Sequence, residues 1–125
     1  MLELVVVLAV MGVLLTLAVP SYQQYTQRVH RAEAIEKMLA IAYCQAKIRS
    51  INGFYDTSRC AGDFNAEFHE IRIEPLGRTT TLEYTIIAEP IDAAGDRCGS
   101  LSLDQAGTRS ISGDQASRAD CWGGR

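Results

Sequence analysis

The chain has 125 residues, of which 47% are hydrophobic, and it carries a formal net charge of −3 with a sequence pI of about 5.3. This length suits one compact domain, and the acidic balance excludes a basic field that would draw nucleic acid to the whole surface. The first ~20 residues are too apolar for a water-soluble domain, which leaves about a hundred residues to build a core.

The N-terminal segment, MLELVVVLAVMGVLLTLAV, has the length and composition of a membrane anchor. As a helix it extends roughly 28 Å, close to the ~30 Å of a bilayer core. A secretory signal peptide would need basic residues before the apolar stretch, whereas here Glu3 precedes it and Arg28 and Arg31 follow. Glu3 is therefore the anomaly, because an ionised carboxylate in hydrocarbon costs several kcal/mol.

The helical pattern continues beyond Pro20. Apolar residues recur at steps of three and four, which predicts an amphipathic helix to about residue 51, with a kink near Pro20. Gly53 follows Asn52 and offers a left-handed stop. The predicted buried stripe consists of Val29, Ala32, Ile35, Leu39, Ala42, Tyr43 and Ala46.

Strand patterns occupy the second half of the chain. Residues 53–69 have no period and predict a loop, whereas residues 69–75 and 81–89 alternate as strands. Leu101 and Leu103 share one face of a third strand, and a turn at 104–107 leads to a short return strand at 108–111. The predicted fold is α+β, with a long N-terminal helix packed on a three- or four-stranded antiparallel sheet.

The domain organisation follows from these elements. An apolar helix, residues 1–26, precedes a globular head, residues 27–125. The head is expected to contain an amphipathic helix (27–51), a loop (52–69), an antiparallel sheet (70–111) and a disulfide-bounded C-terminal region (98–121).

The four cysteines predict disulfides. Their even number and wide spacing, without a C-x-x-C motif, favour disulfides in an oxidising compartment over zinc. Sequence alone leaves three connectivities open. Proximity favours Cys44 with Cys60 and Cys98 with Cys121, each worth about 3 kcal/mol in the chain-entropy model.

No enzymatic motif is present in the sequence. It contains no P-loop, nucleophile elbow or zinc spacing. We expect His30, among basic neighbours on the helix, and His69, at a strand edge, to be solvated. Alternation in a strand spreads Glu67, Glu70 and Glu74 over a solvent face instead of around a metal. We therefore predict no catalytic residue, cofactor or metal.

Two stretches carry a resemblance to a known family. LELVVVLAVMGVLLTLAVPSYQQYTQRVHRAEA resembles the N-terminal signature of type IV pilins, and CGSLSLDQAGTRSISGDQASRADCW is similar to the disulfide-bounded D-region of small type IVa-like pilins. The resemblance implies a pilin fold and a structural subunit that polymerises through its N-terminal helix. The filament would serve adhesion, twitching motility or DNA uptake. Type II secretion pseudopilins share the N-terminus, although the two cysteine pairs disfavour that alternative.

The resemblance also implies roles for single residues. Glu3 would pair with the N-terminal ammonium of a neighbouring subunit, and Gly12 and Pro20 would bracket a segment that loses helicity on assembly. Family members are cut by a prepilin peptidase, which leaves an N-methylated residue upstream of the acid. Only Met1 and Leu2 precede Glu3 here, so we expect the leader and the first mature residues to be missing from the sequence as written.

The expected partners and location come from the same resemblance. The partners are other pilin subunits, the inner-membrane assembly machinery and the prepilin peptidase. The chain would cross the bacterial inner membrane once before assembly, and the assembled filament would be extracellular.

A second function class is a minor pilin with an adhesive or DNA-binding role. Arg97, Arg109, Arg118 and Arg125 occur in the C-terminal third, and the first three are the candidate contacts to DNA. They are interleaved with Asp96, Asp104, Asp114 and Asp120, which are expected to cancel most of their field.

Overall fold

The structure is a computed structural model, and it describes residues 1–60, 64–76, 82–92 and 96–123. Residue 81, at the predicted start of the second strand, and Arg125 lie outside these residues. The elements in chain order are α1 (Leu2–Asn52), β1 (His69–Pro75), β2 (Tyr84–Pro90), β3 (Leu101–Asp104), β4 (Arg109–Ile111) and α2 (Arg118–Cys121). The predicted α+β class is confirmed, since a long helix packs on a four-stranded antiparallel sheet.

Helix α1 extends over 51 residues and passes through Pro20 without interruption. It ends at Gly53, whose φ of 82° is left-handed and whose N–H donates to the carbonyl of Arg49 at 2.8 Å. Residues 2–25 are exposed throughout, and they supply the apolar stretch that is long enough to cross a membrane. The predicted helix end is confirmed.

The sheet is a meander in which each strand pairs with the next along the chain, in the order β1-β2-β3-β4. Ile71 lies opposite Ala88, and Ile86 lies opposite Leu103. These side chains are buried on one face, as alternation in a half-buried strand requires. That face packs against α1 and forms the core of the head.

The predicted buried stripe of α1 is wrong except at Ile35 and Ala42, which are half-buried and pack against the core. The residues that α1 buries are Arg31, Ala34, Met38, Ile41 and Gln45. In the predicted stripe, Val29, Leu39 and Tyr43 are instead 49%, 44% and 75% exposed. Leu39 lies about 100° round the helix from Met38. The pattern failed because two of the five buried positions hold polar residues, which a search for apolar periodicity rejects.

Both buried polar residues of α1 have partners. Arg31 Nη1 donates to Asp96 Oδ1 at 2.7 Å. The Gln45 side chain donates to the backbone carbonyl of Asp56 at 2.7 Å and accepts from its N–H at 3.0 Å. These bonds offset the cost of burial, so the polar residues tie α1 to later parts of the chain.

Two disulfides link distant parts of the head. Cys44 of α1 is bonded to Cys60 in the following loop, and Cys98 is bonded to Cys121 at the end of α2. This is the pairing that proximity in the sequence favoured. The second bond closes the C-terminal part of the chain onto the start of β3.

Candidate nucleic-acid interface

The arginines predicted as DNA contacts belong to residues 96–123, called the C-terminal segment below. A turn shapes its β-hairpin, because the carboxylate of Asp104 accepts from the N–H groups of Ala106 at 2.9 Å and Thr108 at 2.7 Å. Partial burial raises the pKa of Asp104, but the hydrogen bonds to Thr108, Ala106 and Gly107 outweigh it and lower the pKa below the ordinary value. The predicted turn is confirmed.

Arg118 and Arg109 meet at the C-terminal end of the segment. Arg118 begins α2, a short helix that the sequence did not predict, and Ser117 caps that helix by accepting from the N–H of Asp120 at 3.1 Å. Arg118 Nη1 donates to the carbonyl of Arg109 at 3.4 Å. Two of the three predicted contacts are therefore neighbours.

Trp122 is a residue of this surface that the sequence interpretation missed. It is 8% exposed, and its Nε1 donates to the carbonyl of Ser110 at 3.1 Å. The guanidinium of Arg109 lies over the indole, 5.4 Å from its centre. The contact orients Arg109 while leaving it exposed. The only signal in the sequence was a single tryptophan within a polar stretch.

Arg97 lies apart from this pair, at the start of the segment. Its side chain is exposed, but the backbone beside it is closely held. The N–H of Gly113 donates to the carbonyl of Cys98 at 2.9 Å, and a Cβ on Gly113 would overlap the carbonyl oxygen of Arg97. Only glycine allows this close approach of the two backbone stretches.

Two clefts adjoin Arg97. The first, of about 570 Å³, separates α1 from the C-terminal segment, and its polar lining includes Gln24, Gln27, Arg28, Arg97, Gln115 and Asp120. The second, of about 690 Å³, lies between α1 and the start of β1 and also includes Arg97. Amide and guanidinium groups are the usual donors to phosphate oxygens, and the first cleft offers both beside the carboxylate of Asp120.

Neither histidine is fully solvated as predicted, since His30 is half-buried and His69 is buried. His30 stacks on Phe68 with ring centres 3.6 Å apart and an angle of 11° between the rings. His69 is 3% exposed, and among the described residues neither of its ring nitrogens has a hydrogen-bond partner. Burial lowers the pKa of His69, against the opposing attraction of Asp96. Both residues are structural parts of the contact between α1 and β1.

The exposed face of β1 and β2 is acidic. Glu70, Glu74 and Glu89 are exposed there, and Arg72 bonds to Glu74 at 2.9 Å and to Glu89 at 2.6 Å. These hydrogen bonds, first to Glu89 and then to Glu74, raise the pKa of Arg72. An excess of carboxylates repels DNA, so this face contrasts with the arginine-bearing C-terminal segment.

The residues predicted to serve assembly all lie on the exposed half of α1. Glu3 is in the first turn, and Gly12 and Pro20 are exposed farther along. A single chain supplies no neighbouring subunit, so their roles stay predictions.

Comparisons with known proteins agree on the kind of protein. A family model described as "Type IV minor pilin ComP, DNA uptake sequence receptor" matches residues 20–102. No curated protein matches the chain.

Two solved structures share the fold. A type IV pilin from Shewanella oneidensis superposes with a TM-score of 0.58 at 24% identity, over 73% of this chain and 98% of that one. The non-core minor pilin PilV from Neisseria meningitidis gives 0.57 at 20% identity, over 81% and 98%.

Proposed function

Because the chain belongs to the type IV minor pilin family that is described as the ComP DNA uptake sequence receptor, we propose that this pilus subunit binds DNA. The chain is a structural subunit of a type IV pilus, as the resemblance implied, and the matched family is one of pilins, not of pseudopilins. The match of residues 20–102 to that family is the observation that carries the DNA-binding proposal.

The C-terminal segment is the part of the head that contacts the DNA. Arg109, oriented by Trp122, and the neighbouring Arg118 donate to phosphates, and Arg97 donates from the edge of the first cleft. Phosphate contacts of this kind supply most of the affinity for DNA and position the duplex. The acidic face of β1 and β2 keeps the duplex from docking on the sheet.

DNA binding is tested with the full chain in detergent micelles and a short fluorescent duplex, by anisotropy over a series of salt concentrations. Replacing Arg97, Arg109 and Arg118 with alanine should weaken binding. Each lost phosphate contact should reduce the slope of log K against log salt by about 0.9. Arg59→Ala, which removes an exposed arginine elsewhere on the head, is the matched control. No binding of the unaltered chain at low salt would disprove the proposal.

Assembly uses the other end of the molecule. Residues 1–26 anchor the subunit in the membrane and then form the filament core, while residues 27–125 form the head. Glu3 pairs with the terminal ammonium of a neighbour, because a carboxylate inside an apolar bundle needs a cation. Gly12 and Pro20 bracket a stretch that loses helicity in the filament. The full exposure of residues 2–25 in the single chain supports this division.

Glu3→Gln tests the assembly role, because it removes the charge and keeps the size. We expect the variant to reach the membrane at the normal level but to be depleted from sheared filaments, as measured by immunoblotting of both fractions. Leu4→Val is the matched control in the same turn. Equal amounts of Glu3→Gln and unaltered subunit in filaments would contradict the role of Glu3.

The location and remaining partners complete the proposal. The subunit crosses the bacterial inner membrane once, is processed by the prepilin peptidase, and is extracted by the pilus assembly machinery. It catalyses no reaction. The apolar half of α1 and the two disulfides, which suit an oxidising compartment, support this location. Protease added to spheroplasts should degrade the head. A protected head would place it on the cytoplasmic side instead.

A further inference from the structure

We infer that the buried ion pair between Arg31 and Asp96 positions Arg97 for contact with DNA. The inference rests on the proposed DNA binding and assigns a purpose to two residues that do not touch the DNA themselves. Arg31 and Asp96 are positioning residues, and Arg97 is the residue that contacts the phosphate.

A single carboxylate oxygen connects α1 to the backbone next to Arg97. Asp96 Oδ1 accepts from Arg31 Nη1 at 2.7 Å and from the N–H of Cys98 at 3.0 Å. The side chains of Arg31 and Asp96 are only 10% and 7% exposed, so water competes little for these bonds. Arg97 therefore lies between Asp96 and Cys98, which this oxygen links to each other and to α1.

The other side of Arg97 is held as well. Cys98 is bonded to Cys121, and its carbonyl accepts from the N–H of Gly113 at 2.9 Å. Gly113 fits so closely against Arg97 that no side chain could replace its hydrogen. With its backbone fixed in this way, Arg97 retains freedom only in its side chain. A preorganised residue loses less conformational entropy when it binds.

Stability alone does not account for the ion pair. Replacing a buried pair with apolar residues of similar size is often neutral for stability, whereas removing one partner is costly. Apolar side chains cannot, however, accept a directional hydrogen bond from the N–H of Cys98. Stability and the position of Arg97 can therefore be separated by experiment.

The test uses the double variant Arg31→Met/Asp96→Leu in the full chain, compared with Arg97→Ala. We expect the double variant to fold with both disulfides, and its Cys98 amide to exchange with solvent faster than in the unaltered protein. Its affinity for the duplex should fall about tenfold to a hundredfold, to the level of Arg97→Ala, as for loss of one charge-assisted hydrogen bond. The salt slope should fall by about 0.9 in both.

Two further variants separate positioning from bulk charge. Arg31→Lys retains a charged donor for Asp96 and should bind DNA nearly as well as the unaltered chain. Arg72→Met removes the same charge from an exposed ion pair on the acidic face and should leave binding unchanged. Because Arg31→Met/Asp96→Leu removes one positive and one negative charge, a merely electrostatic effect would weaken binding in Arg72→Met and leave the double variant unaltered, and that result would overturn the inference.

The results that would contradict this inference differ from the result that would contradict the proposed function. If the double variant binds DNA with unaltered affinity and salt slope while Arg97→Ala does not, the positioning role is wrong and DNA binding stands. If Arg97→Ala has no effect although Arg109 and Arg118 matter, the inference is also wrong. If the unaltered chain binds no DNA, both fail.

Discussion

The two halves of α1 differ in what they bury. Residues 2–25 are mostly apolar and yet wholly exposed. In the head, the same helix buries Arg31 and Gln45 while Leu39 and Tyr43 face solvent. The comparison shows that burial in this protein follows the partners available to each side chain more closely than hydropathy. The side chains of the first half are exposed and can contact lipid or other subunits. The buried side chains of the second half are already in contact with the rest of the head.

The largest expected effect is a difference in stability between substitutions of two adjacent residues in the part of α1 that lies in the head. Met38→Ala should destabilise the head by about 2 to 5 kcal/mol, because Met38 is 0% exposed and its loss leaves a cavity. Leu39→Ala, one residue along and 44% exposed, should cost less than about 1 kcal/mol. Urea unfolding in detergent micelles, followed by Trp122 fluorescence, measures both. Equal losses would contradict the buried face described above.

A smaller effect tests whether polar burial depends on partners. Gln45→Ala should destabilise the head by about 1 to 3 kcal/mol, because it leaves both backbone groups of Asp56 without their side-chain partner. Gln23→Ala is the matched control on the exposed half of the same helix. The same unfolding measurement applies. A neutral Gln45→Ala would show that water replaces the lost bonds, and that burial there is not tied to the partner.

The smallest effect concerns pH. Because burial lowers the pKa of His69 below its ordinary value of 6.5, the unfolded state binds the proton more tightly. The contribution of His69 to the free energy of unfolding is fully present above pH 6.5. It declines as the pH falls below that value, by at most about 1.4 kcal/mol per pH unit.

His69→Leu removes this titration. The difference in unfolding free energy between the unaltered protein and His69→Leu should therefore change as the pH is lowered from neutral towards 5, to the disadvantage of the unaltered protein. His30→Leu controls for loss of an imidazole on the facing helix. A difference that stays constant with pH would show that His69 is not the titrating group.

Local patterns in the sequence were sufficient for much of the fold. β1 was predicted with its observed bounds, because Ile71 and Ile73 alternate with charged residues between clear boundaries. The end of α1 was predicted because only a left-handed residue such as Gly53 closes a helix in that way. Signals of this kind are contained within a few residues.

Long-range contacts were beyond such patterns. One buried residue of α1, Arg31, is paired with Asp96, which is 65 positions away in the chain. His69 was expected at an open strand edge, but α1 covers it. Trp122 docks in a segment that composition marks as polar. No local signal reports which distant side chain supplies a hydrogen bond.

The candidate site was predicted only in part, again because its contacts join residues that are distant in the sequence. The sequence identified Arg97, Arg109 and Arg118, and the structure brings Arg109 and Arg118 together but places Arg97 beside the clefts. Asp96 was counted among the acids that cancel the field of these arginines. In the structure, Asp96 instead forms a buried ion pair with Arg31. The arginines of the candidate interface are therefore less neutralised than the order of charges along the chain suggested.

The Cys44–Cys60 bond also has a mechanical consequence. In the proposed filament, a subunit that is held by one end of α1 and pulled at its head carries tension along the helix axis. That tension loads the bonds from Arg31 and Gln45 in shear. If these hydrogen bonds break, the disulfide between Cys44 and the loop that follows the helix still connects the two parts. Sliding of the head along α1 is therefore limited by a bond that does not yield at the forces that break hydrogen bonds.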